Sequence, residues 1–289
     1  MYAAAEAIVV ADGQSVTETC RVLGINRTAF YSWKTSDPTL SEQHDDELAP
    51  IVSVIFRRHK RRYGARRIAA ELKSMGHECD RRRVSRVMKT LNLKAIQPRS
   101  FVPKTTDSRH RLGYSPNLLL DAPAPTDINQ LWVGDITYLP LAGGGFCYMA
   151  MLMDRFSRRI VGWKIDDSMA ESLVLATLRS AIRSRRPHEG MVHHTDRGGQ
   201  YAGCEYRRML RRHQVQQSMS RADNCYDNSF MESCFGTIKT ELQLADYSSR
   251  QAAVREMTDY VRYYIFERRH SALDYLTPAQ FEQLNNRPE

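Results

Sequence analysis

The 289-residue sequence lacks any long apolar run. Its longest, Phe146–Met153, has eight residues, against about 20 needed to cross a bilayer, so no membrane partner is expected. The opening stretch "MYAAAEAIVVA" carries Glu6 and has no basic n-region, and so does not read as a signal peptide. The six cysteines (20, 79, 147, 204, 225, 234) form neither a C-x-x-C pair nor a zinc-ligand pattern. Small packing residues in a reducing compartment, the cytoplasm, are the expectation. No heptad run suggests a coiled coil. What remains is an ordinary globular mixture, 42% hydrophobic and 26% charged, long enough for one large domain or two to three smaller ones.

Charge is unevenly placed within the total of +9. Residues 51–100 hold 15 Lys/Arg against three acids, a local net of +12, whereas residues 1–50 hold three against eight, a net of −5. A basic block interleaved with apolar periodicity points to a folded surface facing a polyanion; a solvated helical face is the plain alternative.

Two helical units carry that charge. In "SVTETCRVLGINRTAFYSWK", Val16, Cys20 and Leu23 share a face, Gly24 turns, and Asn26 caps a second helix. Phe30 and Trp33 are expected inside, with Arg27 and Lys34 outside. This helix-turn-helix is assigned to residues 1–45. In the second unit, 46–95, Ile68, Leu72 and Met75 line one helix. Gly76 breaks it, Asp80 caps the next, and Val84, Val87, Met88 and Leu91 face inward. Arg66, Arg67, Arg81, Arg82, Arg83 and Arg86 are the candidate DNA contacts there. Residues 96–130, punctuated by Pro98, Pro103, Pro116, Pro123 and Pro125, read as a linker or extended arm.

From Leu131 strand patterns dominate. "LWVGDITYLP", "FCYMAMLMD" and "RRIVGWKID" predict an antiparallel meander. A helix over "ESLVLATLRSAIRSR", a strand "MVHHTD", a helix near 203–213 and a strand "QQSMS" follow. That order predicts an α/β core of the ribonuclease-H-like type with a mixed sheet over 131–246, and a helical tail over 247–289.

Three acids in this core stand where chemistry could use them. Strand alternation puts Asp135 on one face with Val133 and Thr137, and strands disfavour Asp unless it has a purpose. Asp196 ends a strand, where α/β sheets place ligands. Glu232 lies on the shoulder of the helical stripe Met231, Cys234, Phe235, Ile238 and Leu242, on the same side as Asn228 and Lys239. Brought together, the three would repel, and divalent magnesium would reverse the sign. Taken singly, each has an ordinary reading as an ion-pair partner, a helix cap or a solvated side chain. Asp154 competes but is expected at the opposite end of the strands. His193 and His194 read as hydrogen-bonding supports.

"WVGDITY", "HTDRGGQY" and "DNSFMESCFGTIKTEL" resemble the integrase core of bacterial insertion-sequence transposases of the IS-three family, specifically the product of the second reading frame, related to retroviral integrases. The resemblance extends through "CRVLGINRTAFYSW", "YGARRIAAELKSMGHECDRRRVSRVM" and "RRHSALDYLTP", nearly the whole chain, and keeps 35 residues between Asp196 and Glu232. It implies that Asp135, Asp196 and Glu232 are catalytic metal ligands for two Mg2+ ions, with Mn2+ able to substitute. It also implies that Lys239 touches DNA beside the cleaved phosphate, with Gly236 leaving space for the strand. The implied partners are double-stranded DNA (element ends and target), further copies of the chain assembled on that DNA, and the upstream-frame protein. The implied location is the bacterial cytoplasm, at the nucleoid. Two departures stand out: Ile265 follows Tyr264 where the family usually has Asn, and there is no His/Cys zinc module. The expected function is metal-dependent 3′-end cleavage and strand transfer. A catalytically silent DNA-binding regulator and a nuclease that only hydrolyses are the rivals.

Overall fold

The computed structural model describes residues 1–37, 39–98, 113–120, 122–221, 228–243 and 246–285. The first unit opens with α1 (Tyr2–Asp12), continues with α2 (Val16–Val22), capped by Ser15, and closes with α3 (Arg27–Thr35), capped by Asn26. Ala5, Cys20 and Phe30 form its small core. Trp33 lies at the edge, 37% exposed, and stacks on Tyr2.

A capping box, Thr39 with Glu42, starts α4 at Leu40, so that this helix (Leu40–Arg58) runs across the expected 45/46 division. It packs with α5 (Ala65–Ser74) and α6 (Arg81–Thr90), the latter capped by Asp80, around Val52, Ile55, Ile68, Leu72, Val84 and Val87. Met75 and Leu91, expected inside, are 55% and 36% exposed because each is the residue on which its helix stops.

The sheet follows the predicted order. Strands β1 (Leu131–Pro140), β2 (Phe146–Asp154) and β3 (Ile160–Asp166) are antiparallel neighbours. After α7 (Glu171–Arg185), β4 (Val192–Thr195) pairs parallel with β1. Two short helices, α8 (Gly199–Ala202) and α9 (Cys204–Arg212), lead to β5 (Gln216–Met219), parallel with β4. The order β3-β2-β1-β4-β5 is that of the ribonuclease-H-like fold. Residues 99–112 and 121 of the expected linker lie outside the described residues. Part of the remainder covers the β5 edge, where the Met219 N–H donates to the Pro116 carbonyl (3.3 Å) and the Leu118 N–H to Ser218 Oγ (2.9 Å).

Alternate side chains of the sheet enter different cores. Trp132, Leu152, Leu178 and Tyr206 pack on the α7/α9 side. Val133, Leu139, Met149 and Met151 pack on the other, against α10 (Ser229–Glu241) and α11 (Arg250–Phe266). The tail is therefore built into the α/β core, and Ile265, the departure noted above, is an apolar residue in that core. A last helix, α12 (Pro278–Asn285), is fastened by Glu282 to Arg185 and Arg159 (2.7 and 2.9 Å).

One buried carboxylate joins the basic helical unit to this core. Glu241, at the end of α10, accepts from Arg268 (2.7 and 3.0 Å), from the Tyr260 hydroxyl (3.0 Å) and from Arg67 of α5 (3.4 Å). Around it the His59 ring stacks on Tyr63 at 3.7 Å and reaches the Tyr263 hydroxyl (3.0 Å). The Tyr63 hydroxyl donates to the Glu267 carbonyl (3.1 Å). Among the described residues no helix is long and apolar enough to cross a membrane.

Candidate catalytic site

Sheet register brings the first two acids level. Val133 of β1 faces His194 of β4, and two further residues along both parallel strands lead to Asp135 and Asp196. Adjacent strands lie about 4.8 Å apart. Asp135 shares strand parity with Val133 and Leu139, which pack on the α10 side, so its carboxyl points toward the helix carrying Glu232. Asp196 is the first residue beyond β4 and accepts from the Gly198 N–H (2.9 Å). A Cβ at residue 198 would come within 3.1 Å of that same oxygen, which is why glycine suits the turn.

The electrostatics at Asp135 register its acidic neighbours. Burial, then Asp196 and more weakly Glu232, hold the half-buried Asp135 carboxyl well above the usual carboxylate range. The Ile136 N–H at 2.8 Å and Lys239 pull in the other direction. Lys239, half-buried on α10, rests 4.6 Å from the Tyr138 ring centroid; burial lowers its pKa and Asp135 works against that. Glu232 is exposed in the first turn of α10, and the space around Gly236 is open. Among the described residues no three His, Cys, Asp or Glu side chains are drawn close enough to clasp an ion as they stand. The donor set nonetheless fits a hard divalent cation: carboxylate oxygens only, mutually repelling, with one acid driven toward its neutral form.

The surroundings hold three residues whose part was not foreseen. Gly134 lets the sheet close: a Cβ there would meet Leu152 Cδ2 at 2.6 Å and His193 Cε1 at 2.9 Å. Tyr201 is buried, and burial, then Asp135 and Asp196, raise its pKa well above that of an ordinary phenol, so a neutral hydroxyl stands near the acids. Its place five residues after Asp196 in "DRGGQY" was the available signal. Asn228, noted only for its side of the helix, donates to the Gly134 carbonyl (3.4 Å), and its own buried oxygen has no hydrogen bond among the described residues. His193 and His194 are supports, as expected. His193 Nε2 meets the Tyr206 hydroxyl (2.7 Å), and His194 lies between Ser218 and Ser220 (2.8 and 3.1 Å). Asp154, opposite Trp132 and three ladder positions from Asp135, is occupied by the Asn129, Phe156 and Ser157 N–H groups.

The candidate DNA contacts divide. Arg66, Arg81, Arg82, Arg86 and Lys89 line a cavity of about 790 Å³ between α5, α6 and the tail residues Ser271 and Tyr275. Arg67 reaches the same cavity but is committed to Glu241. Arg83 (3.4 Å) and Arg86 pair with Asp45. Arg27 and Lys34 are elsewhere, on α3, bonded to Thr17 (3.3 Å) and paired with Glu6 (3.3 Å).

Comparison with known proteins fits this arrangement. Residues 125–225 and 213–278 match integrase core domain families, and residues 43–101 match an HTH-like domain family. A retroviral likeness is looser: the HTLV-2 integrase catalytic core domain, solved in complex with magnesium, has a TM-score of 0.43 at 14% identity, covering 54% of this chain and 98% of that one. The matched domains define a protein with an integrase core. Among full-length relatives, the 31 kDa protein of insertion element IS600 from Shigella sonnei is 38% identical over 91% of this chain and 97% of its own length. The transposase InsF for insertion sequence IS3A from Escherichia coli (strain K12) is 34% identical over 94% and 95%. The chain belongs to this family of insertion-sequence transposases.

Proposed function

We propose that Asp135, Asp196 and Glu232 are the catalytic acids of a metal-dependent transposase that cuts the 3′ ends of its element and joins them to another phosphodiester. The observation that carries this reading is the field at Asp135, which combines Asp196 from just beyond the neighbouring strand with Glu232 from a facing helix. The three carboxylates would hold two Mg2+ ions, or Mn2+ in their place. When bound, the metal supplies charge neutralisation at the attacking and leaving oxygens of an in-line displacement. The chain's own residues do the positioning. Gly198 and Ile136 fix carboxylate orientation through their N–H groups, and Lys239 offers a cation to the phosphate flanking the reacting one. Each displacement occurs at phosphorus, so no covalent protein–DNA link is required.

The cavity between α5, α6 and the tail is the proposed seat of the element end, with Arg66, Arg81, Arg82 and Lys89 meeting phosphates and only a few side chains reading bases. Arg27 and Lys34 on α3 would add contacts in the first helical unit. Joining two ends calls for at least two copies on DNA, with the upstream-frame protein as a further partner, in the bacterial cytoplasm. The test is incubation with labelled element ends, with and without magnesium. Strand-joined product is expected from the wild type and none from Glu232→Gln, which should bind DNA and fold normally. Cleavage without joining would favour a nuclease, and binding with neither a silent regulator. Wild-type joining by Glu232→Gln would remove that residue from the assignment.

A further inference from the structure

The turn between β2 and β3, "DRFSRR", holds three arginines with unequal partners. Arg159 is paired with Glu282 at 2.9 Å. Neither Arg155 nor Arg158 forms a close ion pair with a carboxylate among the described residues, and Asp154 acts only weakly on Arg158. The nearest acid in sequence, Asp154, is occupied by three backbone N–H groups. Both guanidiniums instead stand 4.4 Å from the centroid of one ring, that of Phe230 in the first turn of α10. Both are half-buried and burial lowers both pKa values; at Arg158 Tyr264 opposes this and Arg155 adds to it. Arg158 also occupies the left-handed region, with φ at +59°, where an arginine is uncommon. Two like charges, partly dehydrated and sharing an aromatic face, form an arrangement that an anion would relieve.

We infer that Arg155, Arg158 and Phe230 form a phosphate clamp on the catalytic core, separate from the cavity between α5 and α6, that grips the backbone of the DNA reaching the acids. Phe230 stands two residues before Glu232 on the same helix. Met151 lies opposite Asp135, four residues before Arg155. That interval is roughly 13 Å of strand, the axial length of about four base pairs. A duplex with one phosphate at the acids would thus bring another to the clamp. The guanidinium plane suits paired contacts to phosphate oxygens, and the ring holds both planes in place without supplying a competing negative charge.

This inference rests on the transposase reading, and one experiment separates the two. The full chain is treated with phenylglyoxal, an arginine-specific reagent, with and without duplex DNA, and modified peptides are measured by mass spectrometry. DNA is expected to protect Arg155 and Arg158 as well as Arg66 and Arg81. Protection of Arg66 and Arg81 alone would overturn the clamp and leave the DNA-binding reading standing; protection of neither pair would overturn both. Protection that grows with protein concentration in the absence of DNA would assign the arginines to a second copy of the chain and also overturn the clamp. As an independent readout, Arg155→Gln/Arg158→Gln should flatten the slope of log affinity against log salt by about 1.8, two phosphates at about 0.9 each. An unchanged slope would overturn the clamp.

Discussion

Glu241→Gln should destabilise the chain more than loss of a surface carboxylate would. The side chains of Glu241 and Arg268 are 6% and 4% exposed, and Arg268 donates to both carboxylate oxygens. Burial opposes the Arg268 charge and the Glu241 carboxylate over-compensates, holding the guanidinium above its ordinary range. Removing one partner of such a pair leaves a buried charge unmatched, which costs about 3–5 kcal/mol. At about 2–4 °C per kcal/mol for a domain of this size, the melting temperature should fall by about 6–20 °C. A double-mutant cycle with Arg268→Met gives the sharper reading. The double variant should be more stable than Glu241→Gln alone, because the stranded cation is gone, yet below wild type, because Arg67 and the Tyr260 hydroxyl are left with one amide oxygen in place of two carboxylate oxygens. Calorimetry or urea titration measures all four corners. Single losses under 1 kcal/mol that simply add would refute the reasoning, since a rim ion pair behaves that way.

Gly134→Ala forces a Cβ to 2.6 Å from Leu152 and 2.9 Å from a histidine ring already held by Tyr206. Overpacking of about 1–3 kcal/mol should accompany a loss of strand joining larger than the stability loss explains; a variant with wild-type melting and joining would contradict this. His193 is fully buried and burial lowers its pKa to about 4. The unfolded chain takes up that proton near pH 6.5, so stability should drop by about 3 kcal/mol as pH falls from 6.5 to 4. His193→Gln should flatten that part of the curve, and an unchanged curve in urea titrations would count against it. Adding magnesium should raise the melting temperature and chelation reverse it, while Asp135→Asn, folded but with one ligand weakened, should respond much less. An equal response from that variant would place the metal elsewhere.

Much of the candidate site is legible in the sequence because strand parity is a local rule. Asp135 falls on the face of Val133 whatever the rest of the sheet does, and a period of 3.6 puts Lys239 beside Glu232. The mixed sheet follows from the order of elements, an antiparallel meander and then helices alternating with strands. What escaped was set by distant contacts. No periodicity predicts that Arg67 turns inward to Glu241, 174 residues away, so it was grouped with Arg66 as a DNA contact. Trp33 was placed inside because large aromatic residues usually are, but the first unit is too small to enclose it and Tyr2 covers one face. The tail read as an appendage since its helix pattern resembles any amphipathic surface helix; only the apposed sheet shows that Tyr260 and Tyr264 complete the core.

Helix α10 carries Glu232 near its beginning and Glu241 at its end. The interval, 232 to 241, is about 13.5 Å at 1.5 Å per residue, and this turns the helix into a lever. A tilt of about 10° about the Glu241 end would sweep the other carboxylate through roughly 2 Å, whereas metal–oxygen distances are held to about 0.2 Å. Because Arg67 belongs to the basic helical unit, strain on that unit, if it grips an element end as proposed, would reach the proposed acids through Glu241. Loading the ends and aligning the acids would then be one mechanical event.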